Sequence, residues 1–164
     1  VSILALDLAT LTGWAAETNG VRESGVVECS AHKGETKGWR FVRFNVWLYG
    51  WKDLGLKLVV YEHPHHRGGA ATECAYGLST RVEEFCSRHY IRCESVHTAT
   101  LKKHATGHGH ATKDMMVKMA QVLKPGVSDD NESDALWLLD YAKSHILRSD
   151  SKCHESSRLL IGAR

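Results

Sequence analysis

The chain has 164 residues, 43% hydrophobic and 24% charged, with only two prolines, a composition that fits one globular domain and excludes disorder, collagen-like repeats and low-complexity architecture. A formal charge of +2 is too small to announce a polyanionic partner by itself. No apolar run approaches the ~20 residues that cross a bilayer, and no signal-peptide pattern opens the sequence, so a membrane or secreted protein is not expected.

The first predicted strand is Ser2 to Leu8, followed by β-like stretches at Thr12 to Glu17 and Val21 to Cys29. Asn19-Gly20 between the last two is a hairpin signal, so three antiparallel strands are expected to open the domain. From Gly38 to Leu54, Trp39, Val42, Phe44, Val46, Trp47 and Trp51 recur at three- and four-residue spacings. That pattern predicts an amphipathic helix that buries its tryptophans in the core or a subunit interface and carries Arg40 and Arg43 outward. Leu56 to Tyr61 is nearly all apolar, as a strand covered on both faces would be, and it ends abruptly in Glu62-His63-Pro64. After the break at Gly68-Gly69 a helix is predicted from Ala70 to His89, then a strand from Tyr90 to Val96 and a helix from Thr98 to His104. A loop rich in glycine and histidine leads to helices at Thr112 to Leu123 and Glu132 to Leu147. The expected fold class is α/β: a mixed five-stranded sheet, three strands antiparallel and two parallel, flanked by helices. Residues 1–148 are read as one domain and 149–164 as a polar tail.

Charge is unevenly spread. Residues 31–60 carry six Lys/Arg against two acids, whereas 128–140 carry five acids and no base. Carboxylates that end or border apolar segments are costly unless a cation or hydrogen-bond donors compensate. Asp7, Glu62 and Asp134 occupy such places. If the first and fourth strands are neighbours, Asp7 and Glu62 reach the same sheet edge, and a helix docked there would add Asp134. Convergent carboxylates repel one another, and a pair of hard divalent cations, typically Mg²⁺, is the usual relief and an apparatus for hydrolysing phosphodiesters. Each position also has a structural reading: Asp7 as a turn former, Glu62 as a solvated strand end, and Asp129 to Asp134 as a helix cap.

Four ordered segments carry a family resemblance: Ile3-Leu4-Ala5-Leu6-Asp7-Leu8 with Thr12-Gly13-Trp14, Val59-Val60-Tyr61-Glu62, Leu101-Lys102 through Thr112-Lys113, and Ser133-Asp134-Ala135-Leu136. By these the chain resembles the RuvC-type Holliday junction resolvases of the RNase H-like nuclease superfamily. The resemblance implies that Asp7, Glu62 and Asp134 bind metal, and that Lys102 and Lys113 are the catalytic-site and DNA-binding lysines. The family's fourth acid, three residues before the one matched by Asp134, is Asn131 in this sequence. Asp130, four residues before Asp134 and so on the same helical face, is the expected substitute, while Glu132 turns about 200° away. Where the bacterial enzymes carry an aromatic wedge, three residues after the glutamate, this chain has His65. These departures lean toward a bacteriophage member.

The expected activity is a Mg²⁺-dependent endodeoxyribonuclease, with Mn²⁺ able to substitute, that makes paired nicks in four-way DNA junctions and leaves 5′-phosphate and 3′-hydroxyl ends. Asp7, Glu62, Asp130 and Asp134 would hold two ions and Lys113 would offset phosphate charge. Lys102, Lys103, His65, Arg67, Lys118, Arg40 and Arg43 would contact DNA in a salt-sensitive manner. A junction presents two equivalent strands, so a homodimer is the expected assembly. Eleven histidines invite zinc, but no cysteine lies at ligand spacing near His63, His65 and His66 or near His104, His108 and His110, which are read as phosphate contacts or solvated loop residues. The five cysteines contain no CxxC pair, and a reducing bacterial or phage-infected cytosol is expected. The alternatives are a protein that binds branched DNA without cutting it and, more distantly, an actin-like or sugar-kinase-like ATPase, which shares the opening strand, Asp and hairpin but needs a second phosphate loop.

Overall fold

In the computed structural model, which describes residues 2–65 and 68–147, Asn19 and Gly20 both have positive φ (53° and 82°), as a two-residue hairpin turn requires. They join β2 (Leu11–Thr18) to β3 (Val21–Glu28). With β1 (Ser2–Asp7) these strands form an antiparallel meander, and β4 (Leu56–Glu62) and β5 (Arg92–Val96) extend the sheet on the other side of β1 in parallel. The strand order is β3-β2-β1-β4-β5, the mixed five-stranded arrangement expected from the sequence.

Central strands β1 and β4 are covered on both faces, which explains their continuous apolar runs. Alternation divides their side chains between two cores. Ile3, Ala5, Leu58 and Val60 pack under α3 (Thr98–Thr106), α4 (Lys113–Ala120) and α5 (Asp130–Tyr141). Leu4, Leu6, Val59 and Tyr61 face α1 (Trp39–Tyr49) and α2 (Gly69–Arg88).

Helix α1 differs from its expectation in length and orientation. It ends at Tyr49 rather than Leu54, and Phe44 and Leu48 are its buried residues, while Val42 and Val46 lie on the exposed side. Its basic residues do not simply project outward. Arg43 donates to the Ser30 carbonyl (3.1 Å) and to Glu35 Oε1 (2.7 Å), tying the β3–α1 loop to the helix, and Arg40 is half-buried. Trp14, Trp47 and Trp51 form one cluster with ring centroids 5.4–6.3 Å apart. Trp39 is exposed, under the Arg43 guanidinium at 5.6 Å.

Helix α5 begins two residues earlier than its hydrophobic pattern suggests, because the Asp129 side chain accepts from the Glu132 amide (3.0 Å) and caps it. It runs on into a π-helical turn, Ala142–Ile146. No helix among the described residues is long and apolar enough to cross a membrane. Arg67 and the 149–164 tail lie outside the described residues.

Candidate active site

The alternation that builds the cores also aims the two strand-terminal acids. Asp7 follows Ile3 and Ala5, and Glu62 follows Leu58 and Val60, on the strand faces that pack under α5. Leu6 pairs with Tyr61 in the parallel β1–β4 ladder, so both carboxylates leave the same end of adjacent strands. Asp7, Glu62, Asp130, Asn131, Asp134 and Lys113 line one pocket, with His63, His65 and Cys74 also contributing to its wall.

Gly13 brings α5 close enough. It pairs with Asp7 across the β1–β2 ladder, and a Cβ at this position would lie 1.9 Å from the Asn131 carbonyl oxygen. The first turn of α5 therefore rests directly on bare backbone. Asp130 and Asp134, four residues apart, face the pocket from one side of the helix. Glu132 faces away from it, as the helical angle requires: it accepts from Ser24 Oγ (2.7 Å) and Lys124 Nζ (2.6 Å), bonds that dock α5 on β3.

The electrostatics of the pocket centre on Asp134. Burial, the neighbouring Glu62 carboxylate and then Asp130 push its carboxyl up to about 7, against the pull of Lys113 and Lys102. Its Oδ1 is buried with no hydrogen-bond partner. Lys113 opens α4, where Thr112 caps the helix by accepting from the Met115 amide (3.3 Å). Its ammonium donates to Asp130 Oδ2 and is held protonated above the ordinary lysine range by that bond. Asp130 is correspondingly held below the usual carboxylate range by Lys113.

Glu62 is buried at 8% exposure, and the Thr98 hydroxyl donates to its Oε1 at 2.5 Å. Nothing in the sequence singles out Thr98, which reads there only as the start of a helix. His65 is exposed at the pocket rim, its Nδ1 3.9 Å from Glu62 Oε1 and 3.3 Å from Thr98 Oγ1. Among the remaining expected DNA contacts, Lys102 is half-buried on α3, and Lys103 and Lys118 are exposed on α3 and α4. Arg40 and Arg43 are not part of the pocket wall; they belong to α1, which packs on the opposite face of the sheet. The histidine clusters separate: His104 Nε2 lies 2.9 Å from Asp140 Oδ2, with His145 on its other nitrogen, whereas His108 and His110 are exposed in the glycine-rich loop.

Among the described residues, no three His, Cys, Asp or Glu side chains converge tightly enough to coordinate an ion as they stand. Two of the pocket's carboxylates already have hydrogen-bond donors, Asp130 from Lys113 and Glu62 from Thr98. Their chemistry still fits a hard cation: an all-oxygen donor set, one member of which has a buried oxygen without a partner and a proton affinity raised by burial and then by its acidic neighbours.

No family model matches the chain, and no curated protein matches it in sequence. Its structure is similar to that of Thermus thermophilus RuvC, with a TM-score of 0.69 at 17% identity over 88% of this chain and 96% of that one. It is likewise similar to T. thermophilus RuvC in complex with a Holliday junction substrate, with a TM-score of 0.68 at 17% identity over 84% of this chain and 89% of that one. The sheet order, the helices on both faces and these likenesses together establish that the chain has the RNase H-like fold of RuvC.

Proposed function

We propose that this protein is a divalent-cation-dependent endonuclease that cuts four-way DNA junctions. The carrying observation is the partnerless, buried Oδ1 of Asp134 in a pocket shared with Asp7, Glu62, Asp130 and Lys113. A buried carboxylate among others is unfavourable unless a cation or a proton compensates it, and this one is close to needing a proton at neutral pH.

Asp7, Glu62, Asp130 and Asp134 would hold two Mg²⁺ ions, with Mn²⁺ as a substitute, and Asn131 could add its amide oxygen. Such ions, when bound, lower the pKa of water and stabilise charge on a phosphodiester and its leaving oxygen. Lys113 would exchange its bond to Asp130 for one to the scissile phosphate, offsetting the charge that builds in the transition state. Its place at the first turn of α4, beside a glycine-bearing loop, allows phosphate oxygens to come close to backbone N–H groups. Lys102, Lys103 and Lys118 would grip the DNA backbone. His65 would sit against an exposed base at the rim. The products would carry 5′-phosphate and 3′-hydroxyl ends, and a homodimer would supply a site for each of two equivalent strands.

The likeness to a RuvC complexed with a Holliday junction supports junction DNA as the substrate class. Incubating labelled four-way junctions with the protein and Mg²⁺ tests the reading. Paired symmetric nicks, lost in Asp7→Asn, are expected. A gel shift without cleavage would replace the nuclease with a junction-binding protein, a reading favoured by the amide at Asn131 and the commitment of Asp130 to Lys113.

A further inference from the structure

Thr98 lies behind two residues of the pocket wall, Glu62 and His65, with its hydroxyl within hydrogen-bonding reach of both. The three residues come from two segments that the sheet brings together. Glu62 pairs with Val96 in the parallel β4–β5 ladder, and the His63 amide donates to the Val96 carbonyl at 2.8 Å, locking the exits of the two strands together. Thr98, two residues past Val96, thereby starts α3 directly beside the Glu62 carboxylate.

A threonine hydroxyl has one proton to give. At 2.5 Å that proton goes to Glu62 Oε1, so the 3.3 Å contact between Thr98 Oγ1 and His65 Nδ1 is a hydrogen bond only if the histidine donates. Such a bond would run from His65 Nδ1–H to Thr98, in series with Thr98 O–H to Glu62. We infer that Thr98 is a positioning residue, whose hydroxyl orients Glu62 for cation binding and couples that carboxylate to His65 at the pocket rim.

The inference rests on the metal-dependent reading above and adds to it a residue with no carboxylate or positive charge. A neutral donor suits this task. It pins one oxygen of a flexible, buried side chain while leaving the site's negative charge undiminished, which a lysine in the same place would not do. Groups that hydrogen-bond to metal ligands typically contribute 10–100-fold to metal affinity.

The test is calorimetric titration of the full chain with Mn²⁺, comparing wild type, Thr98→Val and Thr98→Ser, with the His65 ring ¹⁵N shifts measured in parallel. Thr98→Val keeps the side-chain shape and loses the hydroxyl; its Mn²⁺ affinity should fall about 10–100-fold, whereas Thr98→Ser should stay within about threefold of wild type because the donor is retained. The ring shifts of metal-free wild type should report His65 protonated on Nδ1, a result that needs no variant to fold. Unchanged Mn²⁺ affinity in Thr98→Val, with wild type still cutting junctions, overturns the inference and leaves the nuclease standing. A neutral His65 protonated on Nε2 also overturns it. Wild type that neither binds Mn²⁺ nor cuts overturns both.

Discussion

The backbone of Gly13 lies against the carbonyl of Asn131 so closely that a methyl group on Gly13 would sit 1.9 Å from the oxygen and 2.2 Å from the carbonyl carbon. Real Cβ atoms do not approach backbone this way, and the obstacle cannot rotate aside as a side chain would. Gly13→Ala should therefore lift the first turn of α5 off β2 and carry Asp130 and Asp134 away from Asp7. Urea unfolding should show a loss of about 3 kcal/mol, the upper end for overpacking, and junction cutting should fall even where the variant remains folded. Wild-type stability and wild-type cutting in this variant would refute the assigned role of the contact.

Asp134 makes a pH-dependent prediction. Its carboxyl is raised from 3.8 to about 7 in the folded protein, first by burial and then by Glu62 and Asp130. Between those values the folded state retains a proton that the unfolded chain has released, so in metal-free protein the stability contribution of this group falls as pH rises through that window and is lowest above pH 7. Asp134→Asn escapes the penalty. Without metal, it should be more stable than wild type at pH 8 by on the order of 3 kcal/mol, and the two should converge below about pH 4. Denaturation curves in a chelator across this range are the measurement, and parallel pH profiles would show that the carboxyl is not in the environment described. The same variant should be inactive on junctions, a stability gain at the expense of the site.

Much of this geometry is legible in the sequence, for identifiable reasons. Period-two alternation and abrupt polar ends locate Asp7 and Glu62, and adjacency of β1 and β4 makes them neighbours. The i, i+4 spacing puts Asp130 and Asp134 on one face and turns Glu132 away. The orientation of α1 was less legible. Apolar residues at 39, 42, 44, 46, 47 and 51 occupy more than one arc of a helix, and periodicity does not say which arc meets the sheet; packing selects Phe44 and Leu48 and exposes Val42 and Val46. Arg43 reads in the sequence as a surface cation because its partners, Ser30 and Glu35, lie in a loop with no periodicity to read. Thr98 was invisible because its bond to Glu62 spans 36 positions and depends on β5 lying beside β4.

Glu132 separates structural acids from pocket acids. Its carboxylate accepts from Ser24 and Lys124 and joins α5 to β3 at a distance from the pocket. Glu132→Gln keeps the shape and one acceptor oxygen but loses the charge facing Lys124. A loss of about 1–2 kcal/mol in chemical denaturation is expected, as for a hydrogen bond to a charged group, with junction cutting at a saturating Mg²⁺ concentration changed less than threefold. An inactive but fully stable Glu132→Gln protein would move Glu132 into the metal-binding set and displace Asp130 from it.

Lys113 and Asp130 make the last prediction, because their bond stands between two functions proposed for the same groups. The Asp130 carboxyl is held low by Lys113, while the Lys113 side chain is 74% exposed. At that exposure the pair contributes under about 1 kcal/mol to folding, so Lys113→Met should leave stability nearly unchanged. It should nevertheless alter the site in two opposite directions. Removing the ammonium releases Asp130 and one positive charge from the pocket, so Mn²⁺ should bind more tightly by calorimetry. The same change deprives the scissile phosphate of its cation, and kcat on junctions should fall on the order of 10²–10³-fold, the usual cost of removing one preorganised donor from a transition state. Tighter metal binding combined with slower cutting is the signature of a lysine that rests on a metal ligand and works on the phosphate. If metal affinity and kcat fall together, Lys113 instead supports the carboxylates, and the exchange of partners proposed for it is wrong.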